Sequence, residues 1–67
     1  MCEANAYLVS DDGSEELVLE RVDTVVPHEA GLMLCSIFGH RKFVKAKIKE
    51  LALVDHKIIL ESRPQEN

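Results

Sequence analysis

Apolar and polar residues alternate over positions 3–9. Ala4, Ala6 and Leu8 fall on one side of the backbone, and Glu3, Asn5 and Tyr7 on the other. A period of two predicts a half-buried strand. Ser10-Asp11-Asp12-Gly13-Ser14 follows. Its Asp-Gly pair supplies the positive-φ chemistry of a hairpin turn. The next strand is predicted over 15–26. Leu17 and Leu19 share a face, but the alternation slips near Arg21-Val22. That slip predicts a bulge or bend that turns the sheet onto itself. Pro27 has no N–H to give a ladder, so it marks a strand end or an edge.

Glu29-Ala30-Gly31 predicts a second turn. Residues 32–38 are apolar on both faces (Leu32, Met33, Leu34, Cys35, Ile37, Phe38). Such a run predicts a central strand, with core on one side and a neighbouring subunit or segment on the other. After Gly39-His40, positions 41–47 alternate again. Lys45, Lys47 and Lys49 are expected in solvent, and Val44, Ala46 and Ile48 inside. Positions 46–52 also hold good helix formers, with Ile48, Leu51 and Ala52 at helical spacing. A strand with one helical turn near Ile48 is the expectation. Leu51, Leu53, Ile58 and Leu60 flank an Asp55-His56 corner, and 57–61 is the last strand. Five to six short strands predict an all-β antiparallel meander curled into a small barrel. Residues 1–61 form one domain, and the polar tail 62–67 frays.

At 67 residues the chain is short. A domain of this size buries only about 60% of its unfolded surface, so a partner chain or a metal is expected to complete it. A homodimer is the favoured reading. There is no apolar signal segment and no run long enough to cross a membrane. Two cysteines, Cys2 and Cys35, allow at most one bridge. Reduced thiols in the cytoplasm fit better. The net charge is −4, divided into −7 over residues 1–31 and +3 over 32–67. An acidic chain does not suit generic binding to a phosphate backbone.

The Met1-Cys2 start holds the most specific chemistry. Trimming of Met1 before a small residue leaves Cys2 with a free α-amine and a thiol, which close a five-membered chelate ring around a metal. Soft sulfur favours Cu(I) and Zn(II), whereas a planar nitrogen/sulfur set suits Ni(II) or Cu(II), and Co(II) also binds such donors. Both groups lose a proton readily when metal is offered. Position 3 is Glu3 rather than histidine, so a second Cys2 from a dimer mate is an attractive source of further ligands. The opposing reading is an idle thiol packed as a small hydrophobe.

Other candidates are weaker. His28, His40 and His56 fall at turn signals, without zinc-site spacing, and read as surface or turn residues. Cys35 lies in the most apolar run and reads as core packing. Arg41, Lys42, Lys45, Lys47 and Lys49 form a basic stretch with Phe43 interleaved. An RNA-binding strand face would want more aromatic residues. A solvated edge blunted by lysines is preferred. No phosphate-binding glycine loop or nucleophile elbow suggests an enzyme.

MCEANAYL, LCSIFG and VKAKIKELALVDHKIIL together make the chain resemble the CooT family of small nickel-binding proteins, earlier grouped as predicted RNA-binding proteins. The resemblance runs from Met1 to about Glu61. It implies a small β-barrel of SH3-like or Sm-like type, forming a homodimer. It also implies Ni(II) binding with Cys2 as the key ligand, and an accessory role in maturing the nickel site of carbon monoxide dehydrogenase. The expected function is therefore that of a nickel metallochaperone rather than an enzyme. An Sm-like RNA-binding module is the alternative.

Overall fold

The computed structural model of the chain describes residues 3–62. Six strands form one sheet: β1 (Ala4–Val9), β2 (Glu15–His28), β3 (Gly31–Ser36), β4 (Arg41–Val44), β5 (Ala46–Ala52) and β6 (Lys57–Ser62). Their order across the sheet is β4-β3-β2-β1-β6-β5. The all-β expectation holds, and the expected strands are present.

Two expectations are corrected. The sheet is mixed rather than antiparallel, because β1 and β6 pair in parallel from Asn5↔Lys57 to Val9↔Glu61. Such a pair needs a long crossover, and β2–β5 supply it. Nor is the sheet closed into a barrel, since β4 and β5 end the order and no ladder joins them. It must nevertheless curl strongly. The strands at its two ends are consecutive in the chain and separated by Lys45 alone.

Bulges produce the curl. Between the pairs Ala4↔Val22 and Ala6↔Leu19, β2 carries an extra residue opposite β1. Arg21 sits there with φ 55°, in the left-handed region. This is the slip expected near Arg21-Val22. The same ladder shifts again between Ala6↔Leu19 and Tyr7↔Leu17, and a third irregularity separates Val22↔Ser36 from Thr24↔Cys35. Strand β2 thus pairs with β1 up to Val22 and with β3 from Val22 onward. Its far half has one unpaired edge, where Pro27 withholds no ladder hydrogen bond.

The interior is small and uses small residues. Ala4, Ala6, Val22, Leu32, Leu34, Ala46, Ile58 and Leu60 form the core, with Leu34 and Leu60 fully buried. Alanines at 4, 6 and 46 let the walls of the curled sheet approach. Gly31 answers the same need at the Lys45 corner. A Cβ there would run into the Val44 carbonyl oxygen and lie 3.0 Å from the Lys45 Cα. Ser36 is buried but satisfied, because its Oγ accepts the Phe38 and His40 N–H groups at 3.2 Å each.

Several local expectations also change. Leu32, Leu34 and Ser36 face inward, so β3 does bury one face, yet it lies second from the edge rather than centrally. Cys35 is half-buried on the outer face, between Thr24 and Arg41, not in the core. Ile48 lies in a strand and is exposed, although it pairs with fully buried Leu60, and a bulge follows it between Ile48↔Leu60 and Glu50↔Ile59. The helical turn falls instead at Leu53–Asp55. Ser62, expected in the tail, is the last residue of β6 and pairs with Ala46. Positions 63–67 of that tail lie outside the described residues.

Candidate functional site

Cys2 lies outside the described residues. What the structure fixes is Glu3, the residue to which it is bonded, and the end of the sheet from which Glu3 projects. Adjacent Cα atoms are about 3.8 Å apart, so the surroundings of Glu3 bear on the Cys2 site.

Strand β1 starts between two elements. On one side Ala4 pairs with Val22, next to the Arg21 bulge. On the other, the Asn5 N–H donates to the His56 carbonyl at 2.9 Å. His56 closes the turn after β5 with φ 56°, and its N–H donates to the Leu53 carbonyl at 3.1 Å. A left-handed histidine in a tight turn is an ordinary choice. The sequence marked His56 as a turn residue but gave no sign that it would stand beside the start of the chain.

A groove of about 220 Å³ opens here. Ala4, Val22, Val25, Leu51, Leu53 and Ile58 make it largely apolar, and Glu3, Asp23 and His56 add polar groups. Leu51 and Leu53 are exposed, and Val54 is 94% exposed at the tip of the turn. A shallower depression borders Glu3 on its other side, lined by Glu20, Arg21, Asn5 and His56. Arg21 Nε lies 3.7 Å from Glu3 Oε1.

The remaining candidates are dispersed. His28 stands at the end of β2 and meets the Phe43 ring edge-on at 5.8 Å. His40 follows the β3–β4 turn, 6.4 Å from the Phe38 ring. Among the described residues no three of His, Cys, Asp and Glu gather in a metal-holding cluster. Arg41, Lys42, Lys45, Lys47 and Lys49 are all exposed. They do not make one face. Alternation in β4 separates Arg41 from Lys42, whose Nζ reaches back to the Val18 carbonyl at 3.5 Å, and Lys45 sits at the corner between the two edge strands. Lysines on unpaired edges are what a sheet uses to resist unwanted strand pairing. No helix among the described residues is long and apolar enough to cross a membrane.

Comparison with known proteins connects this architecture to others. A family model described as the CO dehydrogenase accessory protein CooT matches residues 1–61. The chain is also similar to a crystal structure of a protein assigned as CooT from Carboxydothermus hydrogenoformans. That similarity has 59% sequence identity and a TM-score of 0.87, and covers 94% of this chain and 100% of the other. No curated protein matches the chain.

Proposed function

Since this chain belongs to the CooT family of CO dehydrogenase accessory proteins, we propose that it binds Ni(II) through Cys2 and carries the ion to a nickel enzyme such as carbon monoxide dehydrogenase. The observation that carries this reading is the family match, which begins at residue 1 and so includes the Met1-Cys2 start.

The chemistry belongs to the first residue left after Met1 is removed. Its amine and thiolate chelate the ion, and deprotonation on binding makes uptake pH-dependent. Few protein donors and a terminal position make the ion exchangeable, as a carrier requires. Zn(II), Cu and Co(II) compete for such donors, so selectivity comes from geometry and supply rather than from affinity order. The working compartment is the cytoplasm, where thiols stay reduced.

The carrier is a homodimer in this reading. Leu51 and Leu53 stand exposed in the groove that Glu3 lines, and Val54 is exposed next to Leu53. A second copy laid across them on a two-fold axis covers apolar surface and brings two Cys2 sulfurs together as ligands. Calorimetric titration of the Met1-trimmed protein with Ni(II) tests the reading. Saturable uptake is expected for the parent, and loss of it for Cys2→Ser. A Cys2→Ser variant that binds as tightly as the parent would refute the assignment.

A further inference from the structure

Strand β4 ends the sheet and pairs only with β3. Its free edge can be assigned residue by residue. The Ser36 N–H donates to the His40 carbonyl at 2.8 Å. Opposed residues in an antiparallel ladder alternate between bonded and unbonded pairs. In the register that runs from Leu32↔Val44 to Cys35↔Arg41, the bonded pairs are then Leu34–Lys42 and Leu32–Val44. Arg41 and Phe43 therefore turn their N–H and carbonyl groups away from β3, toward the open side. Four backbone groups stand ready for another strand. Other open edges of the sheet carry a device against pairing. The far half of β2 contains Pro27, which has no N–H. The near half is interrupted by its ladder shifts, and β5 is bulged between Ile48 and Glu50. Bulges and proline blunt an edge. The β4 ladder has no shift and no proline.

What guards β4 is charge, and charge is selective. Positions 30–49 hold Arg41, Lys42, Lys45, Lys47 and Lys49 and no Asp or Glu. Like charges directly opposite across a ladder repel, and opposite charges attract. A strand bearing cations is turned away, and one bearing carboxylates is admitted. The outer face adds an apolar component. Phe43, Met33 and Val26 lie in one cross-strand row, with Phe43 42% and Val26 41% exposed. Arg41 and Cys35 form the next row on that face. We propose that the β4 edge receives an extended acidic segment of a partner protein by strand addition. The added strand sets an apolar residue beside Phe43 and carboxylates beside Lys42 and Arg41. None of the β4 residues lines the groove beside Glu3, so this surface is separate from the one assigned to the second copy. Nor does it depend on Cys2 or on a metal.

The test uses the full-length protein without metal and two synthetic peptides, acetyl-TVYEET-amide and acetyl-TVYKKT-amide. Run antiparallel to β4, each places Val and Tyr against Val44 and Phe43, and its charged pair against Lys42 and Arg41. Amide 15N–1H spectra follow the titrations. TVYEET is expected to shift Arg41, Phe43 and Met33, to slow hydrogen exchange at the Arg41 and Phe43 amides, and to bind about tenfold more tightly than TVYKKT. Arg41→Glu, an exposed outer-face change, should erase that preference. If Arg41→Glu does not fold, the two peptides compared on the parent still decide. Equal affinity for both peptides overturns the proposal, as does binding that leaves the β4 amides unmoved, or no binding at all. Arg41 and Phe43 amides already protected without peptide would show the edge occupied by a second copy or by residues 63–67, and also overturn it. So would a short oligouridylate that shifts these amides where TVYEET does not, since the surface would then belong to nucleic acid.

Discussion

Leu34 and Leu60 are the two large side chains fully enclosed by the curled sheet. Truncating either to alanine is expected to cost about 2–5 kcal/mol, a large share of what a chain of this size has available. A denaturant midpoint little changed in Leu34→Ala would contradict the described core. At the surface, Asp12 Oδ1 accepts the Ser14 N–H at 2.9 Å and the Ser14 hydroxyl at 2.7 Å. These bonds, the backbone one first, hold its carboxyl below the usual aspartate range. A depressed carboxylate contributes fully above its unfolded pKa, and that contribution fades as pH falls through the folded value, here below about pH 4. Asp12→Asn should therefore flatten part of the acid loss of stability, seen as a smaller fall in thermal midpoint on acidification. The same fall in parent and variant would contradict it. The sequence showed the turn itself through Asp12-Gly13, since turn chemistry is local. It misplaced Cys35, because an apolar run does not say which of its faces is the inner one. With Cys35 on the outer face, Cys35→Ser is expected to leave Ni(II) uptake unchanged in the titration that Cys2→Ser abolishes.

Among the elements, β2 was the most legible. Its loss of alternation at Arg21-Val22 marked the bulge that lets one strand serve two neighbours. Strand β6 was half legible. Ile58, Ile59 and Leu60 are all buried, as in a strand covered on both faces. Yet its parallel pairing with β1 joins the two ends of the described chain, and no local pattern encodes that. The helical spacing of Ile48, Leu51 and Ala52 misled because β5 contains a bulge, and a bulge shifts the period of two toward a helix-like one. The β3 start depends on a close approach that sequence does not reveal. Gly31→Ala places a methyl against the Val44 carbonyl and the Lys45 corner. It should lower the thermal midpoint through a steric clash, whereas Gly13→Ala, where an added Cβ meets no atom within 4 Å, loses stability through backbone strain because Gly13 holds φ 88°. An unchanged thermal midpoint in Gly31→Ala would contradict the close approach at the Lys45 corner.

For the molecule as a whole, the curl sets the surroundings of the candidate site. It brings the start of β1, the β2 bulge and the turn before β6 to one end, and the apolar groove opens among them. The barrel expected from strand spacing is an open sheet whose end strands meet through the chain at Lys45, because spacing counts strands and does not reveal which ladders form. The candidate site was legible as a dipeptide and a family likeness. Its setting, with Arg21, His56, Leu51 and Leu53 around Glu3, required the fold. The proposed homodimer predicts that the parent sediments as a dimer and that charged replacement of the exposed tip, as in Leu53→Asp with Val54→Asp, gives monomers with the β-rich circular dichroism retained. A dimer that survives both changes would move the interface elsewhere.

Absorption spectroscopy of the Met1-trimmed protein during Ni(II) addition tests the central claim most directly. A thiolate-to-nickel charge-transfer band should grow to saturation in the parent and be missing in Cys2→Ser. The same band in that variant, or none in the parent, would contradict a carrier that holds nickel by the sulfur of Cys2.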